Sequence, residues 1–72
     1  MNYFDAIQQS KANIEHVNRA YNKLGRDGYN KAMFLADRAF KEAYDKELSE
    51  HKKLNCGIRA GNLILTNLMR DN

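Results

Sequence analysis

The sequence predicts an all-α fold. It reads as a helical hairpin of two long amphipathic helices, about 3–24 and 29–55, with a short apolar C-terminal helix, about 58–69, closed as a three-helix bundle or an intertwined dimer. Three observations carry this. Apolar residues recur at three- and four-residue steps over most of the chain, no segment alternates with the period of two that a half-buried strand requires, and proline is absent. The 72 residues make one small helical domain at most.

In the first segment Tyr3, Ile7, Ile14, Val17, Tyr21 and Leu24 form a heptad seam, with Ser10 filling the one gap. Asn2 or Asp5 suits the first turn, where free amides need acceptors. Arg19 and Lys23 complement the dipole of the last turn, and Gly25 stands where a left-handed residue stops a helix. Gly25-Arg26-Asp27-Gly28 reads as a turn, with Asp27 as N-cap of the second helix.

The second helix is expected to bury Tyr29, Met33, Ala36, Phe40, Tyr44, Leu48 and His51, flanked by Ala32, Ala39 and Ala43. Its other face is charged, with Asp37/Lys41, Glu42/Lys46 and Lys46/Glu50 at ion-pair spacing. Asn55-Cys56-Gly57 supplies stop signals after Lys52 and Lys53. A three-four pattern through Leu54, Ile58, Gly61, Leu65 and Leu68 nevertheless continues across Gly57, so a single long helix is the alternative to a break there. An isolated glycine costs a helix only about 1 kcal/mol against alanine.

The last segment carries Ile58, Ala60, Leu63, Ile64, Leu65, Leu68 and Met69, an apolar surface wider than one stripe. Such a helix needs cover on several sides. A chain this short also gains little net stability from its core, roughly 3–5 kcal/mol. Both arguments lead to the expectation of a homo-oligomer, with a dimer favoured, or of docking on a larger protein. Ile58, Leu65 and Met69 are the expected interface residues, together with Phe34, an aromatic off the buried stripe of its helix.

Composition narrows the function. The chain is 43% hydrophobic and 29% charged with a formal net charge of +3, which excludes disorder, and no apolar run approaches a membrane span. Met1 to Ser10 hold Asp5 and no basic side chain, unlike a secretory leader. The single cysteine, Cys56, fits a reducing, cytoplasmic setting. Enrichment in Asn, Lys, Ile and Tyr suits an AT-rich genome and associates the chain with a phage or other mobile element, which places it in the host cytoplasm.

No pattern points to catalysis, and the expectation is a non-enzyme. Glu15-His16 and Glu47…His51 lack the spacing of a metal site, so neither metal nor cofactor is expected. Cys56 has no base beside it in sequence. The first expectation is a small intracellular adaptor, regulator or inhibitor that works by helix-face contact. The alternative is a binder of a phosphate-bearing ligand, nucleotide or nucleic acid, at the basic turn. Residues 19–34 carry a net charge of +3, and Arg19, Lys23, Arg26 and Lys31 would meet the anion while Tyr29 stacks on a base.

Overall fold

The computed structural model describes residues 1–71, and all three of its helices pack in one bundle. They are α1 (Tyr3–Ile7), α2 (Lys11–Lys46) and α3 (Glu50–Asp71). The all-α bundle expected from the sequence is what is found. The helix boundaries differ in three places, each for a physical reason.

The first difference lies at Ser10. The expected helix 3–24 is divided, and Ser10 adopts an extended conformation (φ −129°, ψ 118°) as N-cap of α2, its Oγ accepting from the Asn13 N–H at 3.4 Å. The gap in the heptad seam is therefore a cap and not a core position. Dividing the helix lets α1 turn onto both neighbours and bury Tyr3, Ala6 and Ile7. Asn2 is the N-cap of α1, and its Oδ1 accepts from the Asp5 N–H at 2.8 Å. The Tyr3 N–H donates to Asp37 Oδ1 on α2 at 2.8 Å, so a carboxylate from a distant turn helps hold α1 in place.

The second difference is the bend. Gly25 has φ 76° and ψ 175°, a region that only glycine enters readily. Helix resumes at once with Arg26, so the expected four-residue turn contracts to one residue. Asp27 is not an N-cap but a first-turn carboxylate of the second arm, where the helix dipole favours it. A straight helix of 36 residues would be about 54 Å long, whereas the longest dimension of the molecule is 35 Å. The arms 11–24 and 26–46 therefore fold back at Gly25. The rings of Tyr21 and Tyr29 meet across the corner edge to face, with centroids 5.0 Å apart.

The third difference is the break expected at Gly57, which is instead at 47–49. The three-four pattern through Leu54 and Leu68 does run unbroken across Gly57, now entirely within α3. Length explains the position of the break. Arm 26–46 and α3 have nearly equal lengths and pack along each other, whereas a helix ending at residue 55 would overhang its neighbour. The loop is fixed locally. Lys53 Nζ donates to the carbonyls of Tyr44 at 3.3 Å and Glu47 at 2.6 Å, satisfying the end of α2. Glu47 Oε1 accepts from the Ser49 N–H at 3.1 Å.

Gly57 and Gly61, one turn apart on α3, are both buried. A Cβ on Gly57 would lie 2.7 Å from the Phe40 ring, and one on Gly61 would collide with the ring of Tyr3. These two flat positions let the rings lie against the α3 backbone, with ring centroids 6.4 Å from each other. Ala20, Ala32, Ala36, Val17, Ile7 and Leu65 complete the buried core around them.

Two glycines with different duties respond differently to alanine. Gly61→Ala displaces the Tyr3 ring and is expected to lower stability by about 1–3 kcal/mol despite alanine's better helix propensity. Gly25→Ala meets open space, yet its backbone strain costs a similar amount, about 1–3 kcal/mol. Urea unfolding measures both, and a more stable Gly61→Ala protein would contradict the packing described.

Asp37 adds a pH dependence. Burial pushes its carboxyl up, but hydrogen bonds from Lys41 and the Tyr3 N–H, with the Lys41 charge, outweigh that and hold it below the ordinary carboxylate range. A carboxyl lowered in the folded state contributes stability that is complete above its unfolded value, about 3.9, and is lost as pH falls through the folded value. Acid unfolding followed by circular dichroism is therefore expected to be shallower below about pH 4 in Asp37→Asn than in the wild type. Identical curves would remove Asp37 from the account.

Candidate protein-binding groove

Arm 26–46 and α3 present a shared outer face on which Leu35 and Ala39 stand opposite Ile64 and Leu68. Two shallow depressions run along it. One, toward the bend, is lined by Leu24, Gly28, Lys31, Leu35, Leu68 and Asp71 among others. The second is lined by Leu35, Arg38, Ala39, Glu42 and Ile64. Leu35 belongs to both, so they form one groove with an apolar floor and a charged rim. Leu35 is half-buried yet stands outside the core cluster, whereas Ile64 and Leu68 pack against that cluster from below. Arg38 and Glu42 form an exposed ion pair at 3.7 Å on the rim, of the kind that adds only a few tenths of a kcal/mol. Phe34, next to Leu35 in sequence and one turn before Arg38, is 68% exposed and lines neither depression.

The interface residues expected from sequence do not share one surface. Phe34 faces solvent, Ile58 and Met69 are half-buried against the core, and Leu65 is fully buried within it. Leu65 is therefore a core residue of the single chain and not part of an exposed interface. The reason is that α3 is covered by α1 and by both arms of α2, more cover than two partner helices would give. Its exposed large apolar residue is Leu63, at 58%. The groove wall at Leu35 falls outside the buried stripe of its helix, and the sequence signal for it is the four-residue spacing to Ala39.

The basic residues of the alternative site flank the bend. Arg19, Lys23 and Arg26 are exposed on either side of Gly25, while Lys31 lies farther on and lines the groove. Tyr29 is half-buried with its ring on Tyr21, and burial, with Tyr21 beside it, pushes its phenol up. Of this aromatic pair, Tyr21 is the more exposed.

Polar side chains between arm 11–24 and α3 are tied into structure. Asn62 is the centre of this network. Its Oδ1 accepts from the Tyr3 hydroxyl, and its Nδ2 donates to Asn13 Oδ1 at 3.0 Å. The Asn62 carbonyl accepts from His16 Nε2 at 3.1 Å and from the Thr66 hydroxyl at 3.0 Å. That pairing requires the proton of His16 on Nε2. Burial pushes the Tyr3 phenol far above its usual value, so it donates as a neutral hydroxyl.

His16 and Cys56 line one open depression together with Arg59, Asn62, Leu63 and Thr66. Each is directed elsewhere. The Cys56 thiol donates to Glu47 Oε2 at 3.2 Å, and that hydrogen bond, then burial, pushes the thiol up and away from the reactive thiolate. Hydrogen bonds from the Ser49 N–H and from Cys56 hold the Glu47 carboxyl low. Among the described residues no group of three or more His, Cys, Asp or Glu side chains is arranged to hold a metal ion, and no helix is long and apolar enough to cross a membrane.

No family model, curated protein or solved structure matches the chain.

The Cys56–Glu47 contact makes thiol chemistry a local probe. Glu47→Gln removes the negative charge beside the sulfur and is expected to lower the thiol pKa and speed alkylation of Cys56 by iodoacetamide at neutral pH. An unchanged rate would show that the carboxylate does not control the thiol.

Proposed function

We propose that the protein is a small, non-catalytic intracellular binding protein that acts by helix-face contact through the groove between arm 26–46 and α3. The observation that carries the reading is the half-exposed apolar floor at Leu35, Ala39, Ile64 and Leu68, with the exposed Phe34 on the same arm one turn from the rim residue Arg38. A large exposed aromatic beside an apolar floor and a charged rim is the anatomy of a protein contact. The small core adds weight, because a bundle of this size gains stability from every surface a partner covers. The engagement of Cys56 with Glu47 and of His16 with Asn62 supports a non-catalytic reading over one based on a nucleophile and a base. A regulatory or inhibitory role in the setting of a phage or other mobile element accords with the composition and the size.

The test is capture on immobilised protein from the cell of origin, comparing wild type with Phe34→Glu and analysing both protein and nucleic acid. Retention of a protein, this chain included, that is lost with Phe34→Glu is the expected result. Retention of nucleic acid that is released by salt and lost with Arg26→Ala would favour the basic bend instead. Equal retention by wild type and Phe34→Glu would end the groove reading.

A further inference from the structure

We infer that the groove is occupied by a second copy of this chain, docked antiparallel about a twofold axis that passes between residues 36 and 37. The inference rests on the binding role proposed above and names the partner.

The argument is the charge order along the exposed strip of arm 26–46. From the bend outward it runs Asp27, Lys31, Phe34, Arg38, Glu42 and Lys46, all exposed. A twofold contact between helices brings each residue against its mirror position. About an axis between 36 and 37, Lys31 meets Glu42 of the second copy and Asp27 meets Lys46 of the second copy. Each pair occurs twice. Phe34 meets Ala39 of the second copy, where a small side chain leaves room for a ring between Leu35 and Ile64. Arg38 meets Leu35 of the second copy, and its long apolar stem suits that neighbour.

Two other arrangements lose this match. A parallel pairing sets Lys31 on Lys31, Arg38 on Arg38 and Glu42 on Glu42. Moving the antiparallel axis to between residues 34 and 35 sets Lys31 on Arg38 and Asp27 on Glu42. The charged rim thus disfavours these two arrangements, as charge complementarity does at interfaces generally. The strip lies on the face opposite the core, so the bundle need not open for the copies to meet.

Sedimentation velocity on the full chain, over a range from low micromolar to high micromolar, tests this. The wild type is expected to show a concentration-dependent dimer, and Phe34→Glu a monomer. Lys31→Glu and Glu42→Lys each place like charges at two symmetric contacts and are expected to weaken the dimer about tenfold. An equimolar mixture of those two variants restores both contacts as a heterodimer, and the double variant restores them as a homodimer. All three substitutions are at exposed positions, and circular dichroism checks that each variant is folded.

A wild type that stays monomeric throughout overturns the inference. So does a dimer indifferent to Phe34→Glu, or charge reversals that the mixture does not rescue. Failure of the two readings is distinguishable. A monomer that still captures another protein through Phe34 removes only the second copy, whereas a monomer that captures nothing removes both.

Discussion

The bundle depends on the closeness with which two aromatic rings lie against the backbone of α3. Phe40 from α2 and Tyr3 from α1 occupy the space that side chains at Gly57 and Gly61 would need. Glycine inside a helix costs about 1 kcal/mol each time against alanine. That cost is accepted because each ring buries its face on a flat surface and brings its own helix close. The other consequences follow from this arrangement. Ala32 and Ala36 keep arm 26–46 near α3, Leu65 fills the next turn, and the Tyr3 hydroxyl reaches Asn62. A network of polar groups then holds α1, arm 11–24 and α3 in one register.

The helical class, the buried positions Tyr3, Ile7 and Val17 of the first segment, a polar cap at Asn2 or Asp5 and the stop at Gly25 were legible in the sequence. They depend on local rules of periodicity and backbone freedom that three or four neighbouring residues determine. The misplaced features have tertiary causes. Ser10 reads as a gap in a seam until α1 is seen to need a turn onto two neighbours. Gly57 has every local mark of a helix end, and only the ring of Phe40 above it explains a glycine in mid-helix. The break at 47–49 has no glycine or proline. It is set by the lengths of two helices that cover each other and by Lys53 closing over the last carbonyls of α2. Leu65 illustrates the same point for function: an apolar residue on a broad face reads alike whether its cover comes from the same chain or from another.

The candidate site was less legible than the fold. Phe34 was visible as an aromatic off its stripe, but a groove belongs to two helices at once, and Leu35 and Ile64 are 29 positions apart in sequence. The basic residues around Gly25 do gather at one end of the molecule. Tyr29, however, is turned toward Tyr21, and Lys31 belongs to the groove rim. Cys56 and His16, unrelated in sequence, do share one depression, each hydrogen-bonded to a structural partner and not to the other.

The attachment of α1 bears on the order in which the molecule assembles. Arm 26–46, the short loop and α3 form a hairpin whose contacts are local in sequence, which favours rapid closure. The Tyr3 N–H must find Asp37 across 34 residues, and its hydroxyl must find Asn62 across 59. Each of those contacts closes a long loop of chain at an entropic cost. Loop closure thus favours docking of the N-terminal segment onto a hairpin already formed, and this five-residue helix is what fills the slot above Gly61.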